Sequence, residues 1–145
     1  MDSKSVIKNY EENGALLRGH FLLSSGLHSD AYLQSELIMQ NPDNAKNIIS
    51  GLKEVLKDVE FSTIVSPAVG GIRFGYELAS ILHKRSLFTE RVDGVMTFRR
   101  GFTLSQGEKV LVAEDVVTTG KSTKECIKAI EEAGGVVVGV TSIID

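Results

Sequence analysis

Two adjacent acids, Glu114 and Asp115, close an apolar run, Val110-Leu111-Val112-Ala113, and Thr118-Thr119-Gly120-Lys121-Ser122 follows a few residues later. The run has the make-up of a buried strand, and ligands of open α/β sheets bind at the carboxyl ends of strands. Paired carboxylates there can accept hydrogen bonds from vicinal hydroxyls such as those of a ribose. The second cluster opens a helix, whose first N–H groups and positive dipole end favour a phosphate. Gly120 allows close backbone approach, and the hydroxyls of Thr118, Thr119 and Ser122 add donors. Val110–Thr123 as a whole therefore suits a ribose 5-phosphate. A plain strand–turn–helix with a capping side chain would not need the acid pair. Gly120-Lys121-Ser122 also matches the tail of a nucleoside-triphosphate P-loop, but that motif requires glycine at position 115, which is aspartate.

The elements that must hold this segment follow from hydrophobic periodicity. Lys4–Asn13 is expected to be a short helix, and Gly19–Gln34 two short strands joined around Ser24-Ser25-Gly26. Asn41-Pro42-Asp43 signals a helix start, with Asp43 as a candidate cap. Ala45, Ile48, Ile49, Leu52, Val55 and Leu56 then keep the helical period. Thr63–Ser66 is expected as a strand, Pro67–Gly71 as a loop of small residues and Phe74–His83 as a helix. Leu87–Thr89 and Val95–Phe98 read as strands flanking Glu90–Gly94, and Arg99–Gln106 as loop. Lys109–Glu114 is a strand, Thr118–Gly120 a turn, Ser122–Ala133 a helix ended by Gly134-Gly135, and Val136–Ile144 a strand. Strands alternating with helices predict an α/β fold, a mostly parallel sheet flanked by helices. One domain is expected over 1–145, with an N-terminal segment 1–34 and an α/β core over 43–145.

Composition narrows the function classes. The 145 residues are 42% hydrophobic and 24% charged, as in an ordinary globular domain. A net charge of −3 leaves no electrostatic footprint for nucleic acid. Cys126 is the sole cysteine, so an intrachain disulfide is impossible and a reducing, cytoplasmic setting is expected. Cys126 reads as a packing residue, and His20 and His83 as surface residues. Met1–Asn9 is polar, without a signal-peptide pattern, and no apolar run reaches membrane-spanning length. A doubly wound sheet would continue beyond the last strand, so the chain is expected to extend past Asp145.

Glu114–Ser122, EDVVTTGKS, resembles the phosphoribosyl diphosphate signature of type I phosphoribosyltransferases. Gly14–Gln34 is similar to the N-terminal region of the orotate phosphoribosyltransferases, whose F-x-L-x-S-G pattern stands here as Phe21, Leu23, Ser25 and Gly26. Ser66–Gly71, SPAVGG, resembles that family's diphosphate loop, and Thr89–Phe102, TERVDGVMTFRRGF, its mobile catalytic loop. Many members carry lysines where this chain has Ser24 and Gly70. No lysine stands between Thr89 and Gly107, leaving Arg91, Arg99 and Arg100 as the cations there.

The resemblance implies transfer of a phosphoribosyl group from phosphoribosyl diphosphate to orotate, a step of pyrimidine biosynthesis. It implies that Glu114 and Asp115 hold the ribose hydroxyls and that Val116, Val117, Thr118, Thr119, Gly120, Lys121 and Ser122 wrap the 5′-phosphate. Ala68, Val69, Gly70 and Gly71 would offer N–H groups to the diphosphate. Arg91, Arg99 and Arg100, on a mobile loop over 90–107, would close on it, joining Asp115 as catalytic residues. Ser25, Gly26, His28, Tyr32 and Thr118 would line the orotate site beneath a hood formed by 1–34. Mg²⁺ would be held mainly by substrate and water rather than by a protein cage. A homodimer is implied, the mobile loop of one subunit serving its partner's site. An arginine after the last strand would contact the base. A purine phosphoribosyltransferase would share the phosphate site and differ at the hood. A non-catalytic sensor of phosphoribosyl diphosphate would normally add a nucleic-acid surface, which the charge disfavours.

Overall fold

The computed structural model describes residues 39–116 and 120–144. The expected helix Lys4–Asn13 and strands of Gly19–Gln34 lie outside the described residues. Helix α1 (Pro42–Ile49) is capped by Asn41, whose side-chain oxygen accepts the Asn44 N–H at 3.1 Å. Pro42 fills the first helical turn, where its missing N–H costs nothing. Asp43 is therefore a first-turn residue and not the cap. The single helix expected through Leu56 is broken in two. Ser50 donates its hydroxyl to the Lys46 carbonyl at 2.6 Å, Gly51 N–H bonds the Ile48 carbonyl at 3.2 Å, and α2 (Leu52–Leu56) restarts. Serine competing for its own helix's carbonyls, followed by glycine, accounts for the break. The apolar phase survives it: Ala45, Ile49, Leu52 and Leu56 are all buried.

The sheet has five strands in the order β3-β2-β1-β4-β5. They are β1 (Thr63–Pro67), β2 (Arg85–Val92), β3 (Val95–Phe98), β4 (Lys109–Val116) and β5 (Val136–Ile144). Helix α3 (Gly71–Leu82) crosses from β1 to β2, and α4 (Lys121–Glu132) from β4 to β5. All pairings are parallel except β2 with β3. The α/β expectation holds, with one antiparallel edge strand added to a parallel sheet. Val92 pairs with Val95, so Asp93-Gly94 is a two-residue turn with φ of 53° and 81°. Left-handed geometry at both positions is what a tight type I′ hairpin requires, and Asp-Gly supplies it. The short strand expected at Leu87–Thr89 is thereby extended to Arg85–Val92.

Strand alternation divides the core between the two faces. Ile64, Leu111 and Ala113 pack with Phe74 and Leu78 of α3 and with α1 and α2. Val65, Val110 and Val112 pack with Leu87, Val140, and Cys126 and Ile130 of α4. Burial on both faces explains why β1 and β4 read as continuous apolar runs.

Candidate functional site

From β1 the chain winds through α3 to β2 on one side, and from β4 through α4 to β5 on the other. The direction of winding reverses between β1 and β4, and open α/β sheets bind ligands outside the carboxyl ends of the strands at that point. The segment after β1, Ala68-Val69-Gly70, and the end of β4 meet there. A β-carbon built on Gly70 would stand 2.7 Å from Asp115 Oδ2 and 3.0 Å from Oδ1. Only glycine allows so close an approach, so a lysine could not stand at position 70 without displacing Asp115 or the turn. Ala68 N–H is held by the Thr89 carbonyl at 2.7 Å, and Val69 is 82% exposed beside it. Gly71 begins α3, three residues before the expected start at Phe74.

Strand β4 runs to Val116, two residues past the expected end at Glu114, so Asp115 belongs to the strand as Glu114 does. Alternation then sends them to different faces. Asp115 shares the α3 side with Leu111 and Ala113 and meets Gly70. Glu114 shares the α4 side with Val110 and Val112 and accepts a hydrogen bond from Thr123 in the first turn of α4. Both acids are nearly fully buried. Burial, and then the Asp115 carboxyl beside it, push the Glu114 pKa up to about 9, with the Asp115 N–H and then the Thr123 hydroxyl opposing. Glu114 is therefore a neutral acid at pH 7, able to donate as well as accept. Asp115 Oδ2 has no hydrogen-bond partner among the described residues. A buried carboxylate oxygen left so is costly unless something else satisfies it, and a sugar hydroxyl or a cation can do so.

Gly120 precedes α4 in the left-handed region, φ 84°, and its carbonyl accepts the Lys124 N–H at 2.8 Å. A glycine there provides no side-chain cap, so the helix start keeps its positive end for an anion. Ser122 is half-buried and Lys121 exposed in that first turn. Val117, Thr118 and Thr119 lie outside the described residues, as do Ser25, Gly26, His28 and Tyr32.

The three arginines are not brought together. Along β2, Leu87, Thr89 and Arg91 face α4, and Arg91 grips Glu125 of that helix with both Nη atoms, Nη2 to Oε1 at 2.9 Å. Arg100, just past β3, turns to the opposite face. It bonds Glu90 through Nε at 2.7 Å and Nη2 at 3.2 Å, and it lies over the Phe88 ring. Arg99 Nη1 is 3.9 Å from the same carboxylate. The loop after them ends in a network absent from the sequence reading. Glu108 accepts from Thr63 Oγ1, from Arg85 Nη2 at 2.9 Å and from the Ser105 N–H at 2.9 Å, and Arg85 also bonds the Thr103 carbonyl. Glu125 and Glu108 were missed, and Thr123 was read only as the end of the phosphate segment, not as a partner of Glu114. Only Thr123 had a local signal, its place in the first turn after the glycine.

Cys126 is buried against the Thr89 hydroxyl, and burial pushes its thiol up to about 12, so it packs and does not attack. His83 is exposed and ends α3 in the left-handed region. Among the described residues no group of three or more His, Cys, Asp or Glu could cage a metal ion. A largely apolar cavity of about 590 Å³, lined by Met39, Ile72, Tyr76, Phe88 and Phe102, flanks α3 and does not include the acid pair. No helix among the described residues is long and apolar enough to cross a membrane.

Residues 30–145 match the phosphoribosyl transferase domain family. An orotate phosphoribosyltransferase of Caldicellulosiruptor saccharolyticus is 47% identical over 145 residues, all of this chain and 76% of that protein. One from Campylobacter hominis is 53% identical over 140 residues, 95% of this chain and 69% of that protein. A crystal structure of adenine phosphoribosyltransferase from Rhodothermus marinus superposes with a TM-score of 0.60 at 22% identity, over 72% of this chain and 69% of that one. The last likeness concerns the fold alone.

Proposed function

The chain belongs to the orotate phosphoribosyltransferases, and on that premise we propose how it moves a 5-phosphoribosyl group from phosphoribosyl diphosphate to orotate. The products are orotidine 5′-monophosphate and diphosphate, and the reaction belongs to pyrimidine biosynthesis. One observation supports the site above the rest: Asp115, buried with an Oδ2 that has no hydrogen-bond partner among the described residues, faces Gly70 of the β1 loop where the sheet changes direction.

Displacing diphosphate at ribose C1 puts charge on the leaving group and on the sugar, so catalysis is positioning and electrostatic stabilisation. In this reading Glu114 and Asp115 take the ribose hydroxyls, the neutral Glu114 donating where Asp115 accepts. Gly120, Lys121 and Ser122 hold the 5′-phosphate with Val116, Val117, Thr118 and Thr119. Val69, Gly70 and Gly71 hold the diphosphate; Ala68 only shapes the turn, because its N–H is spent on the Thr89 carbonyl. Arg99 and Arg100 exchange Glu90 for diphosphate oxygens, a task suited to guanidinium forks. Ser25, Gly26, Tyr32 and Thr118 line the base site.

The open side of Asp115 also fits a hydrated Mg²⁺ shared with substrate. When bound, the ion would neutralise charge on the diphosphate. The chain acts as a homodimer in the cytoplasm, each mobile loop serving the neighbouring subunit. The exposed Val69 and Tyr76 offer apolar surface for such a contact.

The test is diphosphate release with orotate, adenine, guanine and xanthine in turn, with Mg²⁺ present. Orotate-dependent release is expected. Turnover with a purine alone would overturn the base assignment, and ligand binding without product would return the sensor reading.

A further inference from the structure

Arg91 and Glu125 are 34 positions apart, yet they make a bidentate tie between the β2–β3 hairpin and α4. Arg91 is the third of the inward-facing residues Leu87, Thr89 and Arg91 on β2, and Glu125 precedes Cys126, which takes the Thr89 hydroxyl. The fork therefore stands directly above a buried contact between the same two elements. Its side chains are only 38% and 25% exposed, which sets it apart from open surface pairs such as Lys128–Glu132 at 78% and 68%. The bond to Glu125 raises the Arg91 pKa, and the bond to Arg91 lowers that of Glu125, so each holds its partner ionised. The other charges near this join are Lys121, one turn before Glu125, and Lys128, which is 4.0 Å from Glu132.

Both elements carry parts of the sites proposed above, the helix for its own subunit and the hairpin's arginines for the neighbouring one. Helix α4 begins at the Gly120 phosphate turn, and the hairpin leads directly into Arg99 and Arg100. A bidentate guanidinium–carboxylate pair fixes orientation as well as distance. We propose that Arg91 is a positioning residue acting through Glu125, clamping the arginine-bearing hairpin to the helix that begins at the phosphate turn, and does not itself bind diphosphate. This inference rests on the assigned activity, and it gives Arg91 a different role from Arg99 and Arg100.

The experiment uses the full chain and the variants Arg91→Ala, Glu125→Ala, the double alanine variant and the exchange Arg91→Glu/Glu125→Arg. Steady-state kinetics with orotate and phosphoribosyl diphosphate are paired with hydrogen exchange over residues 85–98. If the clamp acts as a unit, both single variants and the double variant lose kcat alike, roughly fivefold, because coupled residues are non-additive. KM for orotate stays within about twofold, exchange in the hairpin quickens, and the charge exchange recovers most of kcat. A loss on the order of a hundredfold in Arg91→Ala with Glu125→Ala unaffected would make Arg91 a substrate ligand and overturn the proposal. Additive losses, or no loss in either single variant, would overturn it too. If the wild-type chain does not turn over orotate, the activity reading fails and exchange alone decides: quicker exchange in both single variants supports the clamp, unchanged exchange refutes it.

Discussion

Replacing Gly70 by alanine adds one methyl group at the closest approach in the site. Its carbon would lie 2.7 Å from Asp115 Oδ2, 3.0 Å from Oδ1 and 3.1 Å from Cγ, where ordinary contact starts at 3.4 Å. The whole carboxylate is in the way, so rotating it exchanges one oxygen for the other and relieves nothing. Asp115 is 4% exposed on a central strand, so the turn after β1 must yield, by roughly 0.7 Å. A displacement of about 1 Å at a reacting site can cost on the order of a hundredfold in rate. The expected loss in kcat/KM for phosphoribosyl diphosphate is therefore roughly ten- to a hundredfold, or about 1.4–2.7 kcal/mol of transition-state stabilisation. Stability should fall by about 1–3 kcal/mol from the forced overpacking, although the φ of −61° at Gly70 itself suits alanine. Diphosphate release at saturating orotate and thermal unfolding of the same preparation check both halves. A variant within threefold of wild type at unchanged Tm would show that the Gly70–Asp115 approach does not set the reacting geometry.

Glu114→Gln should alter how stability depends on pH. The unfolded glutamate loses its proton near 4.5 and the folded one near 9, so between those values the unfolded state binds fewer protons and stability falls as pH rises. Glutamine removes that slope. The Tm of the variant should gain on wild type from about pH 6 to about pH 9, and parallel curves would remove the neutral-acid assignment. Asp115→Asn should lower kcat/KM on the order of a hundredfold, whereas Cys126→Ala should cost mainly stability, about 1–2 kcal/mol. Equal kinetic effects would contradict the ribose role. The double variant Arg99→Ala/Arg100→Ala should raise KM for phosphoribosyl diphosphate and lower kcat, and unchanged kinetics would end the diphosphate role of both.

Local pattern made some of this legible and long-range packing hid the rest. Val136–Ile144 was readable to the residue, because an apolar run after Gly134-Gly135 has one reading. The helix after Gly120 was placed within a residue for the same reason. The extent of β2 was underestimated: Arg85, Glu90 and Arg91 look like loop until their partners Glu108, Arg100 and Glu125 are seen. The Asp93-Gly94 turn did carry a local sign, an Asp-Gly pair between Val92 and Val95, and it predicts the hairpin that the charged flanks obscured. The break at Ser50-Gly51 was masked by an apolar period that continues across it. The grouping of Arg91 with Arg99 and Arg100 was a grouping by sequence. A period-two strand separates Arg91 from Glu90, and with Glu90 goes Arg100.

The same period governs the acid pair. Neighbours in a strand leave the backbone toward opposite faces, yet at the strand's end the Glu114 and Asp115 carboxyls still come within hydrogen-bonding reach of each other. Asp115 reaches the β1 side, where Gly70 waits; Glu114 reaches α4, where Thr123 waits. A strand with acids two positions apart would put both on one face and leave the other half of the crevice without a carboxyl group. Placed as they are, at the end of the strand where the winding reverses, they join the loop proposed for diphosphate to the helix proposed for phosphate, with the ribose between. Their different surroundings follow from the same geometry: one acid is buried against a helix and kept neutral, and the other has an oxygen left over for a ligand.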